Sequence, residues 1–354
     1  MTRIASVHGV PAPYRYAQRE LTDAFARLSD LHGTRRQALE RFHTSSTVQA
    51  RHLALPLDDY PRLHGFGAAN DAFIASALDL GGEAITGALA DAGISADEVD
   101  LLAFTSTTGV AAPSIDARLV QRLGLRPDVK RLPLFGLGCA GGAAGLARVH
   151  DYLTGWPEQV AVLLSVELCS LTLQRADVSV ANLVASALFS DGAAAVVMTG
   201  ERRTPVTPAR GPRVVATRSQ LYPDSERVMA WNVSDSGFRI VLGAEVPDVV
   251  RAYLGGDVRA FLADHDLKLE DITTWVCHPG GPKVLDAVAE TLGLPADALD
   301  VTWHSLATIG NLSSASVLFV LRDTLARGRT EPGTPGVLLA LGPGFCSELV
   351  LLEW

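Results

Sequence analysis

Cysteine is scarce in this chain: four residues in 354, with no two in a Cys-x-x-Cys pair. Cys139, Cys169, Cys277 and Cys346 therefore supply neither a zinc pattern nor a disulfide framework, and reduced thiols in a cytoplasmic protein are expected. Basic residues are also in deficit, 30 against 39 acidic ones, giving a net charge of −9. That balance argues against general nucleic-acid binding and leaves any anionic ligand to be met locally. Long apolar runs are missing too. Stretches such as Val160 to Val166 fall far short of the roughly 20 residues of a spanning helix, and Met1 to His8 has no apolar segment of the secretory kind behind its Arg3. No membrane span is expected.

What the chain does have is apolar mass, 48% hydrophobic residues with a mean hydropathy of +0.21, enough for a large core. The polar, basic and proline-rich segment 201–213 reads as a connection between two parts, 1–200 and 214–354. Each part offers the same succession: an amphipathic helix, a β run, a glycine-bearing turn, a core helix and a glycine-centred hairpin. In the first these are Phe73 to Gly93, Leu101 to Thr105, the turn at Cys139 with its helix through Tyr152, and Ala187 to Val197. In the second they are Val258 to His265, Thr273 to Cys277, the turn at Asn311 with its helix to Leu325, and Val337 to Val350. An internal duplication accounts for this. The closing β runs are continuously apolar rather than alternating, which predicts sheets buried on both faces between layers of helix.

Cys139 lies where an apolar run turns through glycines into a helix, in Gly138-Cys-Ala-Gly-Gly142. Unpaired N–H groups at such a start favour an anion, so a lowered thiol pKa is expected there, helped by a nearby imidazolium. His278, at the end of a β run, and Asn311, at a second helix start, are candidate partners. A thiolate takes an acyl group from a thioester readily, because the leaving thiol is chemically equivalent. A carboxamide cannot move a proton, but it can donate a hydrogen bond to an oxyanion such as the enolate left by decarboxylation of a malonyl thioester. Cys277, next to His278 but on the opposite face of its strand, reads as core.

Taken together, Gly138-Cys-Ala-Gly-Gly142, Ala187-Leu-Phe-Ser-Asp-Gly192, His278-Pro-Gly-Gly-Pro282, Gly310-Asn-Leu-Ser-Ser-Ala315 and Gly342-Pro-Gly344 resemble the type III polyketide synthases, the chalcone synthase superfamily, almost end to end. The run Ser165 to Thr172 is similar to the mycobacterial and actinobacterial alkylpyrone branch. The resemblance implies a thiolase-like αβαβα fold built from two duplicated halves, a homodimer, and CoA thioesters as substrates with no metal or other cofactor. It implies that Cys139 carries the starter and growing chain while His278 and Asn311 promote decarboxylation. Acyl-CoA, of the fatty acyl kind, would be the starter and malonyl-CoA or methylmalonyl-CoA the extender, with pyrone or resorcinol release.

By the same resemblance Phe189 stands at the neck between CoA tunnel and cavity, and Ile240 replaces a second aromatic there. Thr107, Thr108, Ala112, Cys169, Thr172, Ser313, Gly342 and Pro343 fall at substrate-binding positions, and small Ala112 leaves room for an acyl tail. Arg51, Gly281 and Lys283 are the expected CoA contacts. A single-extension condensing enzyme of the ketoacyl synthase III kind and a cysteine acyl hydrolase use related residues. Starter length, extender, number of extensions and cyclisation mode are not readable from the residues.

Overall fold

The computed structural model describes residues 1–203, 211–328 and 330–354, so most of the expected 201–213 connection lies outside the described residues. Nine strands form the main sheet. From one edge to the other they are Thr274–Cys277, Pro335–Gly342, Cys346–Glu353, Arg213–Leu221, Thr2–Pro11, Asp191–Thr199, Val160–Leu168, Leu101–Thr105 and Lys130–Leu134. Thr2–Pro11 meets Arg213–Leu221 at only two residue pairs, Thr2 with Val214 and Arg3 with Arg213. That short seam divides the sheet into two wings. Moving outward from it, each wing is joined antiparallel, antiparallel, then parallel, and the N-terminal wing adds the parallel strand Lys130–Leu134.

Continuous apolar strands are explained by cores on both faces. Along Val160–Leu168, Val160, Val162, Leu164 and Val166 join the outer helix Gly65–Ala92 in one cluster, while Ala161 and Leu163 join a central one. Pro335–Gly342 does the same in the other wing: Val337, Leu339 and Leu341 face the outer helices, Leu338 and Ala340 the centre. Period-two alternation thus fills two cores from one strand. Each fully buried Val or Leu contributes about 1.5–3 kcal/mol of transfer free energy, so neither face tolerates polar substitution.

The central layer consists of helices Gly141–Gly155 and Ser316–Arg327, whose Leu146, Val149, Leu318 and Phe319 share the middle cluster. Cys277 belongs to the outer cluster of its wing, as strand alternation requires. Helix Gly65–Ala92, 28 residues, is long and apolar enough by length and composition to cross a membrane, unlike the shorter runs weighed from the sequence. Here its Phe73, Ala77, Ala84, Ile85 and Ala88 are buried against the sheet.

The expected hairpin at 337–350 is present, Gly342 pairing with Cys346 across its turn. Its counterpart at 187–197 is not a hairpin. Ala187 and Leu188 end helix Val180–Leu188, Phe189 is extended and bridges to Asn311, and Asp191–Thr199 pairs with two other strands. The helix there is started by Ser179, whose side chain accepts from the Asn182 N–H.

The two central helices approach closely at their starts. A Cβ added to Gly142 would stand 2.2 Å from the Ser314 carbonyl oxygen, a backbone atom that cannot swing aside. Gly142→Ala is therefore expected to lower stability by about 1–3 kcal/mol, the range for overpacking a tight interior. An unchanged urea midpoint and slope for that variant would contradict the close packing.

Candidate active site

Cys139 sits in a single 3-10 turn, Gly138–Ala140, directly before the central helix. The turn needs glycine first. Gly138 has φ of +48°, and a side chain there would meet Pro343 Cδ at 2.5 Å. The Gly342-Pro-Gly344 loop therefore packs on the cysteine turn, which places Gly342 and Pro343 behind the nucleophile. Cys139 is only 5% exposed, and its Sγ donates to Ser313 Oγ at 3.6 Å.

Ser313 links the thiol to Asn311. The Ser313 N–H donates to Asn311 Oδ1 at 2.8 Å and the Ser316 hydroxyl donates to the same oxygen at 3.4 Å. With Oδ1 held by donors, the Nδ2 end is the one left to donate outward. The backbone is fixed as firmly: the Asn311 N–H donates to Leu188 O and its carbonyl accepts from the Ser190 N–H, both at 2.8 Å. His278 is anchored through its own N–H to Leu339 O at 2.8 Å. Its segment packs beside the Asn311 turn, since a Cβ at Gly281 would touch the side chain of Leu188, whose carbonyl holds the Asn311 N–H. The imidazole is 7% exposed, and neither ring nitrogen has a hydrogen-bond partner among the described residues. Two unpaired nitrogens in a buried ring are expensive unless a ligand meets them.

Burial dominates the electrostatics and corrects the expected thiolate. Removal from water pushes the Cys139 thiol up to about 12, and the hydrogen bond to Ser313 offsets only part of this. Burial likewise holds His278 down to about 3, so it is neutral and supplies no imidazolium to the resting thiol.

The residues alone did not reveal Glu167, which is wholly buried near the end of Val160–Leu168. It accepts from the Thr107 N–H at 3.1 Å, from Thr108 Oγ1 at 2.9 Å and from the Ser314 hydroxyl, tying the turn after Leu101–Thr105 to the Asn311 turn. Burial raises its carboxyl to about 7 despite these donors. A lone carboxylate inside a nine-residue apolar strand was the available signal. Trp231 was missed as well; its indole N–H donates to Thr107 Oγ1 at 2.9 Å.

A cavity adjoins this site. Cys169, Thr172, Phe189 and Ile240 line it together with Trp231 and Arg51, and Leu21, Phe25 and Leu28 give it an apolar wall. Thr107 and Thr108 are buried in the Glu167 network, and Ala112 is exposed on the surface of the chain, away from this cavity. Lys283 is exposed at the start of helix Pro282–Leu292, with Gly281 before it. Arg51 is a correction. At 6% exposure it points inward, donating from Nε to Gln18 Oε1 and from Nη1 to Phe189 O, both at 2.9 Å, rather than standing on the surface as the expected CoA contact would. Among the described residues, no group of three or more His, Cys, Asp or Glu side chains is placed to hold a metal ion.

Comparison with known proteins agrees with this geometry. The family pattern described as chalcone and stilbene synthases, N-terminal domain, matches residues 3–202, and that of the C-terminal domain matches residues 213–353. The chain therefore belongs to the chalcone and stilbene synthase family, the type III polyketide synthases, and is an acyltransferase-type enzyme. It is 59% identical to a 1,3,6,8-tetrahydroxynaphthalene synthase of Streptomyces peucetius, across all of this chain and 93% of that one. An alpha-pyrone synthesis polyketide synthase-like protein of Mycobacterium tuberculosis is 30% identical over 90% of this chain and 79% of its own length. The crystal structure of the 1,3,6,8-tetrahydroxynaphthalene synthase of Streptomyces coelicolor, a bacterial type III polyketide synthase, superposes with a TM-score of 0.92 at 28% identity, covering 99% of both chains. The fold is thus the thiolase-like layered one.

With its thiol held neutral, ligand-free Cys139 should be alkylated by iodoacetamide at a rate that rises about tenfold per pH unit from pH 6 to 9, because only the thiolate reacts. A plateau below pH 8 would instead reveal a thiolate–imidazolium pair in the resting enzyme.

Proposed function

We propose that this enzyme builds a polyketide on Cys139 by repeated decarboxylative condensation with malonyl-CoA, that malonyl-CoA also supplies the starter, and that the product is a fused aromatic ring. The observation that carries the reaction class is the meeting of the Cys139 and Asn311 turns through Ser313, with buried His278 on a segment that packs against Leu188, the residue whose carbonyl holds the Asn311 N–H. In the loading step Sγ attacks the thioester carbonyl, the C–S bond to CoA breaks, and the thiol proton passes by way of His278 to the departing CoA sulfur. A second malonyl-CoA then loses CO₂. The enolate oxygen is met by Asn311 Nδ2 and by the protonated nitrogen of neutral His278, and its carbon attacks the Cys139 thioester, forming the new C–C bond and freeing Sγ as thiolate, which then takes the lengthened chain back from its CoA thioester and releases CoA for the next round. Burial favours these steps, because donors facing a developing anion act more strongly where water is excluded.

Support for a malonyl-derived aromatic comes from the Streptomyces relative at 59% identity, whose named product carries no alkyl tail. A second reading, a fatty acyl starter with alkylpyrone or resorcinol release, is favoured by the apolar cavity wall of Leu21, Phe25 and Leu28. Two further parts belong to the proposal. A cytoplasmic location fits four free, buried cysteines. A homodimer fits the exposure of Phe135 at 56% and of Val110, both large apolar side chains.

Purified enzyme is to be offered malonyl-CoA alone, then with acetyl-CoA through long-chain acyl-CoAs, with CO₂ and products followed by mass spectrometry. The account expects an aromatic product from malonyl-CoA alone, and a loss of about 10²–10³-fold in Asn311→Ala, the scale for removing an oxyanion donor. Pyrones formed only with long acyl starters would select the second reading. A single ketoester, or free acid without CO₂, would contradict iterative condensation altogether.

A further inference from the structure

One side chain outside the cavity holds the loop that backs the nucleophile. Ser225 lies in the connection 222–228, between strand Arg213–Leu221 and the strand that follows it, Met229–Ser234. Its neighbours Pro223, Asp224, Glu226 and Arg227 are exposed, yet Ser225 is buried, at 3% exposure. Asp224 turns the chain inward with φ of +55°, a conformation uncommon for a residue with a side chain. A hydroxyl taken out of water in an otherwise solvated turn needs partners.

Those partners belong chiefly to the Gly342-Pro-Gly344 loop. The Phe345 N–H donates to Ser225 Oγ at 2.8 Å, and the hydroxyl donates to the Tyr222 carbonyl at 2.7 Å, with Gly344 O at 3.1 Å its alternative acceptor. The same connection makes two backbone bonds to the loop, from the Tyr222 N–H to Phe345 O at 2.9 Å and from the Gly344 N–H to Met229 O at 3.4 Å. On its other side the loop leaves the cysteine turn no slack. Besides the contact of Pro343 with position 138, a Cβ on Gly342 would stand 2.6 Å from Ala140 Cβ and 2.7 Å from Leu137 O. Close-packed groups transmit a displacement rather than absorb it. Movement of the loop is therefore movement of Cys139.

We propose that Ser225 is a positioning residue for Cys139: by holding the loop against the cysteine turn, it sets where the acylated sulfur stands relative to Asn311 and His278. This rests on the reading above of decarboxylative condensation on Cys139, and not on the starter or the product. The consequence is coupling between two steps. Loss of CO₂ from malonyl-CoA is assigned to Asn311 and His278, whose hydrogen bonds run to Leu188, Ser190, Ser313, Ser316 and Leu339 rather than to the loop. Formation of the C–C bond requires in addition that the Cys139 thioester stand within reach of the enolate carbon. An enolate that finds no thioester takes a proton from water and leaves as acetyl-CoA.

The test is the ratio of acetyl-CoA to condensed product formed from malonyl-CoA by the unmodified enzyme, Ser225→Ala and Ser225→Thr. Ser225→Ala is expected to raise that ratio about tenfold with KM for malonyl-CoA little changed, a part of the loss of about 10² that a misplacement of about 1 Å causes. Ser225→Thr keeps the hydroxyl and should lie closer to the unmodified ratio. A folding defect lowers both products together, so a ratio that Ser225→Ala leaves unmoved overturns the assignment even in a destabilised variant. The condensation reading fails separately, through absence of CO₂ release from the unmodified enzyme. In that event alkylation of ligand-free protein by iodoacetamide decides: faster reaction of Cys139 relative to Cys277 in Ser225→Ala upholds the positioning, and an unchanged or lower ratio overturns it.

Discussion

Everything at the active site depends on the end-to-end contact of two buried helices, Gly141–Gly155 and Ser316–Arg327, whose starts meet where the Ser314 carbonyl leaves no room for a side chain at position 142. The contact brings a cysteine from one wing of the sheet to an asparagine from the other, with Ser313 hydrogen-bonded to both. It also fixes the depth of the site. Because the helices lie between sheet faces, whatever stands at their starts is buried, and each polar group there must be paired or held for a ligand.

Burial then decides the chemistry. The three groups answer it differently: the thiol and imidazole by remaining uncharged, the amide by having its oxygen satisfied while its nitrogen has no partner among the described residues. Glu167 lies between those cases, raised toward neutrality yet still held by Thr107, Thr108 and Ser314. Such a site holds little charge until substrate enters. A thioester that brings oxygens able to accept hydrogen bonds supplies the partners that His278 and Asn311 lack, and the developing enolate meets donors already oriented by backbone contacts rather than by water.

Much of this was legible in the residues. Continuous apolar strands announced sheets covered on both faces, and the strands Leu101–Thr105 and Thr274–Cys277 and the 337–350 hairpin fall where apolar runs and glycine turns put them. Cys139, His278 and Asn311 stood out because each follows or precedes a break between elements. The rest depended on long-range packing. Nothing local in Ala187 to Gly192 distinguishes a hairpin from a helix end followed by an extended Phe189, since the deciding contacts come from Asn311. The inward turn of Arg51 depends on Gln18 and on the Phe189 carbonyl, distant in sequence. The thiol's pKa depends on distant packing in the same way: a helix start is visible in sequence, whereas the completeness of burial is not.

The central claim is that Cys139, alone among four buried cysteines, becomes acylated. The direct measurement is brief exposure of the enzyme to malonyl-CoA at neutral pH, acid quench, and mapping of the mass increment by peptide mass spectrometry. The account predicts an acyl thioester on the peptide bearing Cys139 and none on those bearing Cys169, Cys277 or Cys346. CO₂ release with no adduct at Cys139, or with the acyl group on Cys346 beside the Gly342-Pro-Gly344 turn, would contradict it.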